Sequence, residues 1–311
     1  MSISYDAVLL IAFGGPTSTE EIQPFLARVT QGMAIPAQRL AEVAQHYEAV
    51  GGKSPLNEIT ARQAGALRTL LEERGRPLPV YMGMRNSSPF FIETLRRMAD
   101  EGVQKALGLI LSSHKTEASW ERYQHNIADA RAELGGQAPA VDYCGGWHDH
   151  PLFIRCWTKL IAASFAEIAA DRRSAAPLIF TAHSLPAAMA ARSPYVDEVQ
   201  TSARLIAQSL GNERWSLAYQ SRSGRPTDPW LEPDIYQVIR DLARQGVQHA
   251  VVAPIGFVCD HVEVLYDLDI EAQKIANELG MILCRASCPN DHPTFIRLMA
   301  SLIEKEIQER G

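Results

Sequence analysis

The chain has 311 residues, 46% of them hydrophobic and 21% charged, which describes a soluble globular protein with room for one large domain or two modest ones. Its net charge of −6 argues against a nucleic-acid partner, which would need a basic face. No apolar run approaches the about 20 residues of a membrane span, and the first residues lack the basic and apolar zones of a signal peptide, so a cytoplasmic protein is expected.

Short apolar strands alternate with longer amphipathic segments along the whole chain. Residues 7–13 read as a first strand running into Gly14-Gly15-Pro16. Helical segments follow from Thr19 to Arg74, broken near Gly32, Pro36 and Gly51 to Pro55. Strands at 79–83, 105–111 and 140–144 are separated by helices at 89–100 and 117–134, and a helix at 151–170 follows. The second half repeats the scheme, with strands at 178–182, 215–219 and 250–253, helices at 195–210 and 232–244, a last strand at 281–284 and a terminal helix at 293–308. Gly102-Val103-Gln104 before the third strand is echoed by Gly246-Val247-Gln248, with alanine following two positions later in both cases. The pattern predicts an α/β protein of two doubly wound, Rossmann-like lobes with parallel sheets and a crevice between strand ends. The expected divisions are 1–148, 149–290 and a C-terminal helix, 291–311, that returns to the first lobe.

The densest chemistry lies in residues 254–271. A valine-rich strand after Gly246 delivers Cys259, Asp260, His261 and Glu263 to the start of a helix, where open α/β sheets place their sites. Asp260 suits the helix N-cap as well as a site. Glu263, Asp267 and Glu271 recur at i, i+4 and i+8, which stacks like charges along one side of a helix. They read either as a solvated acidic face or as a ladder of hard oxygen ligands spanning about 12 Å, along which a divalent cation passes. A π-type widening near Glu263 would bring the three closer to one line.

A second landmark is Leu178 to Pro186, where an apolar strand ends at His183 before a proline. The imidazole is either structural or a base near neutral pH paired with Glu263 or Asp260. Ser184 has no G-x-S-x-G elbow around it, so hydrolase chemistry carries little weight. The five cysteines read as reduced thiols. Cys284 and Cys288 are the one close pair, short of the four thiolates that an iron–sulfur cluster takes, so no cluster is expected.

Taken together, these residues resemble the ferrochelatases, which insert ferrous iron into a porphyrin. The resemblance covers Leu9 to Pro16, His46-Tyr47, Gly51 to Pro55, Gly83 to Asn86, Phe180 to Pro186, Gln220-Ser221, Pro229 to Pro233 and Phe257 to Glu271. It implies two chelatase-like lobes holding the porphyrin, with His183 and Glu263 catalytic and His183, Glu263, Asp267 and Glu271 meeting the metal. Phe13, Ser54, Arg28, Asp260, His261 and Trp230 would contact the porphyrin. Phe13 stands where some relatives carry a tyrosine and, having no ligating atom, would pack on the macrocycle. Fe²⁺ would be a substrate, with no permanently bound cofactor, and the enzyme would be a soluble monomer. Thr30, Gln31 and Gln45 stand where relatives acting on coproporphyrin III often carry arginine, which leaves protoporphyrin IX and coproporphyrin III both open. A sirohydrochlorin-type cobaltochelatase would call for a more basic cleft, and a haem carrier would not need Glu263.

Overall fold

Eight short apolar runs become parallel strands in the computed structural model, which describes residues 5–32, 35–223 and 228–310. Two four-stranded sheets result. In the first, β1 (Ala7–Ala12), β2 (Val80–Met84), β3 (Lys105–Ile110) and β4 (Ala140–Tyr143) lie in the order β2-β1-β3-β4. In the second, β5 (Leu178–His183), β6 (Trp215–Gln220), β7 (His249–Ala253) and β8 (Ile282–Arg285) lie in the order β6-β5-β7-β8. Parallel neighbours require long crossovers, and the amphipathic helices supply them. All six residues of β1 are buried, as are all of β5 except His183, because helices cover both faces of a parallel sheet.

The orders explain where chemistry can sit. In the second sheet β5 pairs with β6 on one side and with β7 on the other, Phe180 lying opposite both Leu217 and Ala253. The connections leaving β5 and β7 therefore depart in opposite directions, and a crevice opens at their carboxyl ends. The first sheet has the same switch point between β1 and β3, with Leu9 opposite Tyr81 and Gly108.

The echoed tripeptides precede β3 and β7, the equivalent strands of the two sheets. Each glycine closes a helix, Phe91–Asp100 or Ile235–Arg244, in the left-handed region, Gly102 at φ +83° and Gly246 at φ +80°. The valine that follows returns its N–H to the helix, Val103 to Met98 at 2.9 Å and Val247 to Leu242 at 3.1 Å. Both lobes thus use one glycine-dependent helix stop to feed a central strand.

The chain divides into two compact units: Met1–Ser112, Glu117–Gly146 and Asn290–Gly311 form the first, and Ser113–Thr116 with Trp147–Pro289 form the second. Leu9, Ile11, Tyr81, Leu95, Met98 and Ile127 share the core of the first. Phe153, Trp157, Phe180 and Val251 are fully buried in the second. The helix Pro293–Arg310 belongs to the first unit. Arg74 reaches Glu304 at 2.9 Å, and Arg62 reaches Asp291, just ahead of that helix, at 2.8 Å.

Two helices start later than their sequence pattern predicts. Glu93 reaches back to the Phe90 N–H at 2.7 Å, so the helix starts at Phe91, and Asp234 accepts from the Tyr236 N–H at 2.8 Å, which moves that start to Ile235. Short helices at Ala170–Arg173 and Ala187–Ala190, and π-helical turns at Glu117–Glu121 and Asp267–Ala272, have no signature in the apolar spacing. Among the described residues no helix is long and apolar enough to cross a membrane.

Candidate active site

His183 is the last residue of β5, and Glu263 lies in the first turn of the helix Val262–Tyr266 that follows β7, so the switch point brings them together. His183 Nε2 lies 3.5 Å from Glu263 Oε1. The other ring nitrogen, Nδ1, is 2.5 Å from the Ser184 carbonyl oxygen, which can only accept, so Nδ1 carries a proton. Nε2 is then the atom that gains or loses charge. Burial works against the imidazolium, but the Glu263 carboxylate and the Ser184 carbonyl outweigh it and hold His183 well above its usual value. Burial likewise opposes the Glu263 carboxylate, and the His183 charge overcomes it and lowers its pKa. Both shifts favour an imidazolium beside a carboxylate. The two side chains remain 29% and 38% exposed, so the pair is accessible from solvent.

Backbone supports fix both partners. The Tyr195 hydroxyl donates to the His183 carbonyl at 2.9 Å. Gln220, at the end of β6, donates from Nε2 to the Glu263 carbonyl at 2.9 Å and accepts from Thr181 Oγ1 at 2.7 Å. Gly256 follows β7 so closely that a Cβ there would lie 2.7 Å from the Ala182 Cα. Only glycine lets the loop pass against the end of the strand that carries His183.

Behind Glu263 the acidic residues are distinct in their surroundings. Asp267 is buried, accepts a short hydrogen bond from Ser221 Oγ and has its pKa pushed up to about 7, first by burial and then by the charges of Glu263 and Glu271. Ser221 holds φ +61°, a region that costs a side-chain-bearing residue energy, and from there its hydroxyl meets the carboxyl. Glu271 accepts from the Tyr236 hydroxyl at 2.6 Å. Burial raises the Tyr236 phenol, with Asp267 and Glu271 adding to the effect. The expected widening begins at Asp267. Four residues of α-helix overshoot one turn by about 40°. From Asp267 to Ala272 the wider π turn falls short of a full turn over four residues and swings Glu271 back towards the line of Glu263. Among the described residues no three His, Cys, Asp or Glu side chains converge on one point as a ready-made metal cage.

Asp260 is not the N-cap. His261 caps the helix, its Nδ1 accepting from the Glu263 N–H at 3.2 Å while its ring lies edge-on to Phe257 at 4.8 Å. Asp260 is instead drawn into a charge-assisted pair with Arg285 at 2.9 Å, with both side chains largely buried. Of the remaining expected porphyrin contacts, Trp230 pairs through its backbone with Pro186 beside the His183 loop. Phe13, Ser54 and Arg28 lie in the first unit. Phe13 packs edge-on to Phe25 at 6.1 Å, Ser54 is buried, and Arg28 Nε donates to the Asn86 carbonyl at 2.9 Å with its guanidinium 5.4 Å from the Phe90 ring. All five cysteines are buried free thiols, and burial raises the pKa of both Cys284 and Cys288.

Ser221, Tyr236, Tyr195 and Arg285 are the participants that sequence reasoning left without roles. Ser221 falls within a motif already noted. The other three sit on separate elements and have no local signature.

A two-lobed α/β chain with a histidine and a carboxylate at one switch point has the fold of the small chelatases. SirB from Bacillus subtilis, solved with Fe³⁺, superposes with a TM-score of 0.62 over 97% of this chain and 95% of its own at 9% identity. The sirohydrochlorin chelatase SirB from Bacillus subtilis subspecies spizizenii, in complex with cobalt, gives 0.58 at 10% identity, over 98% of this chain and 96% of its own. The ferrochelatase family model matches residues 5–307, and the chain belongs to that family. It is 40% identical to the coproporphyrin III ferrochelatase of Mycolicibacterium smegmatis over 97% of this chain and 90% of that protein. It is 43% identical to the coproporphyrin III ferrochelatase of Nocardia farcinica, covering 98% and 89%, and 38% identical to a ferrochelatase of Rhodopirellula baltica, covering 97% and 86%.

Proposed function

We propose that this protein inserts Fe²⁺ into coproporphyrin III, with His183 and Glu263 at the centre of the ring. The observation that carries the reading is the His183 Nε2 to Glu263 Oε1 contact of 3.5 Å, in a chain of this family whose relatives include coproporphyrin III ferrochelatases. Metallation exchanges two pyrrole N–H protons for one Fe²⁺. The resting pair already holds one proton on His183, so the group ready to meet an incoming cation or accept a proton is the Glu263 carboxylate. A cation bound at Glu263 cancels the charge that stabilises the imidazolium, and His183 then releases its Nε2 proton and becomes a base or a nitrogen ligand. Metal arrival and proton acceptance are thereby coupled at two atoms.

Asp267 and Glu271 line the approach of the hydrated ion and are held in place by Ser221 and Tyr236. On the first unit, Phe13 offers an apolar ring surface. Arg28 offers the terminal nitrogens of a guanidinium whose Nε is already committed to Asn86, a fit for a porphyrin carboxylate. His261, Trp230 and Ser54 complete the proposed porphyrin contacts.

The test is anaerobic incubation with Fe²⁺ and, in separate reactions, coproporphyrin III, protoporphyrin IX and sirohydrochlorin, followed by absorbance of the metallated product. Faster turnover of coproporphyrin III is expected. A preference for protoporphyrin IX would overturn the substrate assignment and leave the insertion chemistry intact. Turnover of sirohydrochlorin alone, or of none of the three, would overturn the function.

A further inference from the structure

We propose that Arg285 is a positioning residue that sets the alignment of Glu263, Asp267 and Glu271, by clamping the chain at Asp260 and Asp269 so that the π-helical turn between Asp267 and Ala272 is retained. The inference rests on the reading of those three acids as the approach for the metal ion.

Arg285 is the last residue of β8, where Val252 of β7 is its register partner. Its guanidinium leaves the strand and engages two carboxylates. Nε donates to Asp269 Oδ1 at 2.5 Å and Nη2 to Asp269 Oδ2 at 2.8 Å, a two-pronged fork, while Nη1 donates to Asp260 Oδ1 at 2.9 Å. Nη1 also lies 3.3 Å from the Ala286 carbonyl. Asp260 precedes Glu263 by three residues, and Asp269 falls between Asp267 and Glu271. One cation therefore grips the segment ahead of the first acid and between the other two.

The grip matters because i→i+5 bonding is rare and is kept only where something holds it. Were the segment to relax to an ordinary α-helix, each four-residue step would carry the next acid about 40° further round, and Glu271 would turn away from the line of Glu263. Asp269 is the only acid of the π turn that points to the clamp rather than to Ser221 or Tyr236 among the contacts described. The fork specifies orientation as well as charge, which a lysine in the same place could not reproduce.

The test compares Asp269→Asn in two backgrounds, wild type and Asp267→Asn/Glu271→Gln, by titrating Fe²⁺ at saturating porphyrin and porphyrin at saturating Fe²⁺. In the wild-type background, half-saturating Fe²⁺ should rise about tenfold, the usual scale for losing an outer partner of metal-binding groups, while the porphyrin requirement stays within about twofold. In the Asp267→Asn/Glu271→Gln background the same change should add nothing, because no row of acids remains to be aligned. An equal increment in both backgrounds, or no change in the wild type, would show Arg285 and Asp269 to be ordinary structural partners. If Asp267→Asn/Glu271→Gln itself leaves the Fe²⁺ dependence unmoved, the approach reading falls and this inference with it, while His183 and Glu263 keep their roles. Arg285→Lys, which keeps the charge and loses the fork, is the control should Asp269→Asn fold poorly. It should give a smaller shift of the same kind, and a wild-type Fe²⁺ dependence would overturn the proposal.

Discussion

The two units share strand order, a switch point, the glycine-terminated helix before the third strand and even a π turn after it, yet the first strand of each ends in different chemistry. At the end of β1 stand Phe13, Gly14 and Gly15, whereas β5 ends at His183. The π turn of the first unit buries Trp120, and that of the second buries Asp267. This topology provides a place and leaves the chemistry to the residues that occupy it. In the first unit the place is filled by apolar and small groups. In the second, a strand end and a helix start deliver opposite charges to one point.

The largest effect should separate the two strand ends. His183→Ala should lower insertion by at least about 100-fold with an unchanged circular dichroism spectrum, because it removes the proposed proton-handling group from a partly exposed position. Phe13→Leu, at the matching place in the first unit, should raise the porphyrin concentration needed for half-maximal rate while the Fe²⁺ dependence stays fixed. Comparable losses of maximal rate in both variants would erase the division of labour.

A second pair probes backbone approach. Gly256→Ala brings a Cβ 2.7 Å from the Ala182 Cα, and Gly15→Ala brings one 2.5 Å from the Ser54 Cβ. Each should cost about 1–3 kcal/mol in denaturant unfolding, the usual penalty of overpacking. Only Gly256→Ala should also lower the maximal insertion rate at temperatures where both variants are folded, because it displaces the strand end bearing His183.

The smallest effect is one of pH. Asp267 is raised to about 7 when folded, so the folded state holds its proton more tightly than the unfolded chain does. The stability this contributes is complete below the ordinary aspartate range and is lost as pH rises through about 7. Asp267→Asn should therefore raise the melting temperature at pH 8 by about 2–4 °C and by less at pH 5. An equal gain at both pH values would assign the effect to something other than titration.

Most of the scaffold was legible because burial on both faces writes parallel strands as continuous apolar runs, and glycine marks the helix stops. His183 and Glu263 were legible because a strand end and a helix start are places that periodicity identifies. What was not legible has a common cause. His261 rather than Asp260 caps the helix, and Asp260 meets Arg285, which approaches from a strand 25 residues away. The acids of the π turn meet Arg285, Tyr236 and Ser221, and none of these contacts leaves a trace in local spacing. Arg285 is bound to Asp269 and Asp260, two acids that lie off the i, i+4, i+8 spacing of Glu263, Asp267 and Glu271.

If Glu263 holds a proton on His183 before metal arrives, neutralising Glu263, by a metal or by mutation, releases it. The direct measurement is an NMR titration of the His183 imidazole in the wild type and in Glu263→Gln. Wild-type His183 should remain protonated at Nε2 through neutral pH, losing its proton only well above the ordinary histidine range, and Glu263→Gln should move that transition down to or below neutrality. A wild-type imidazole that already titrates near 6.5, and does so equally in Glu263→Gln, would contradict the account.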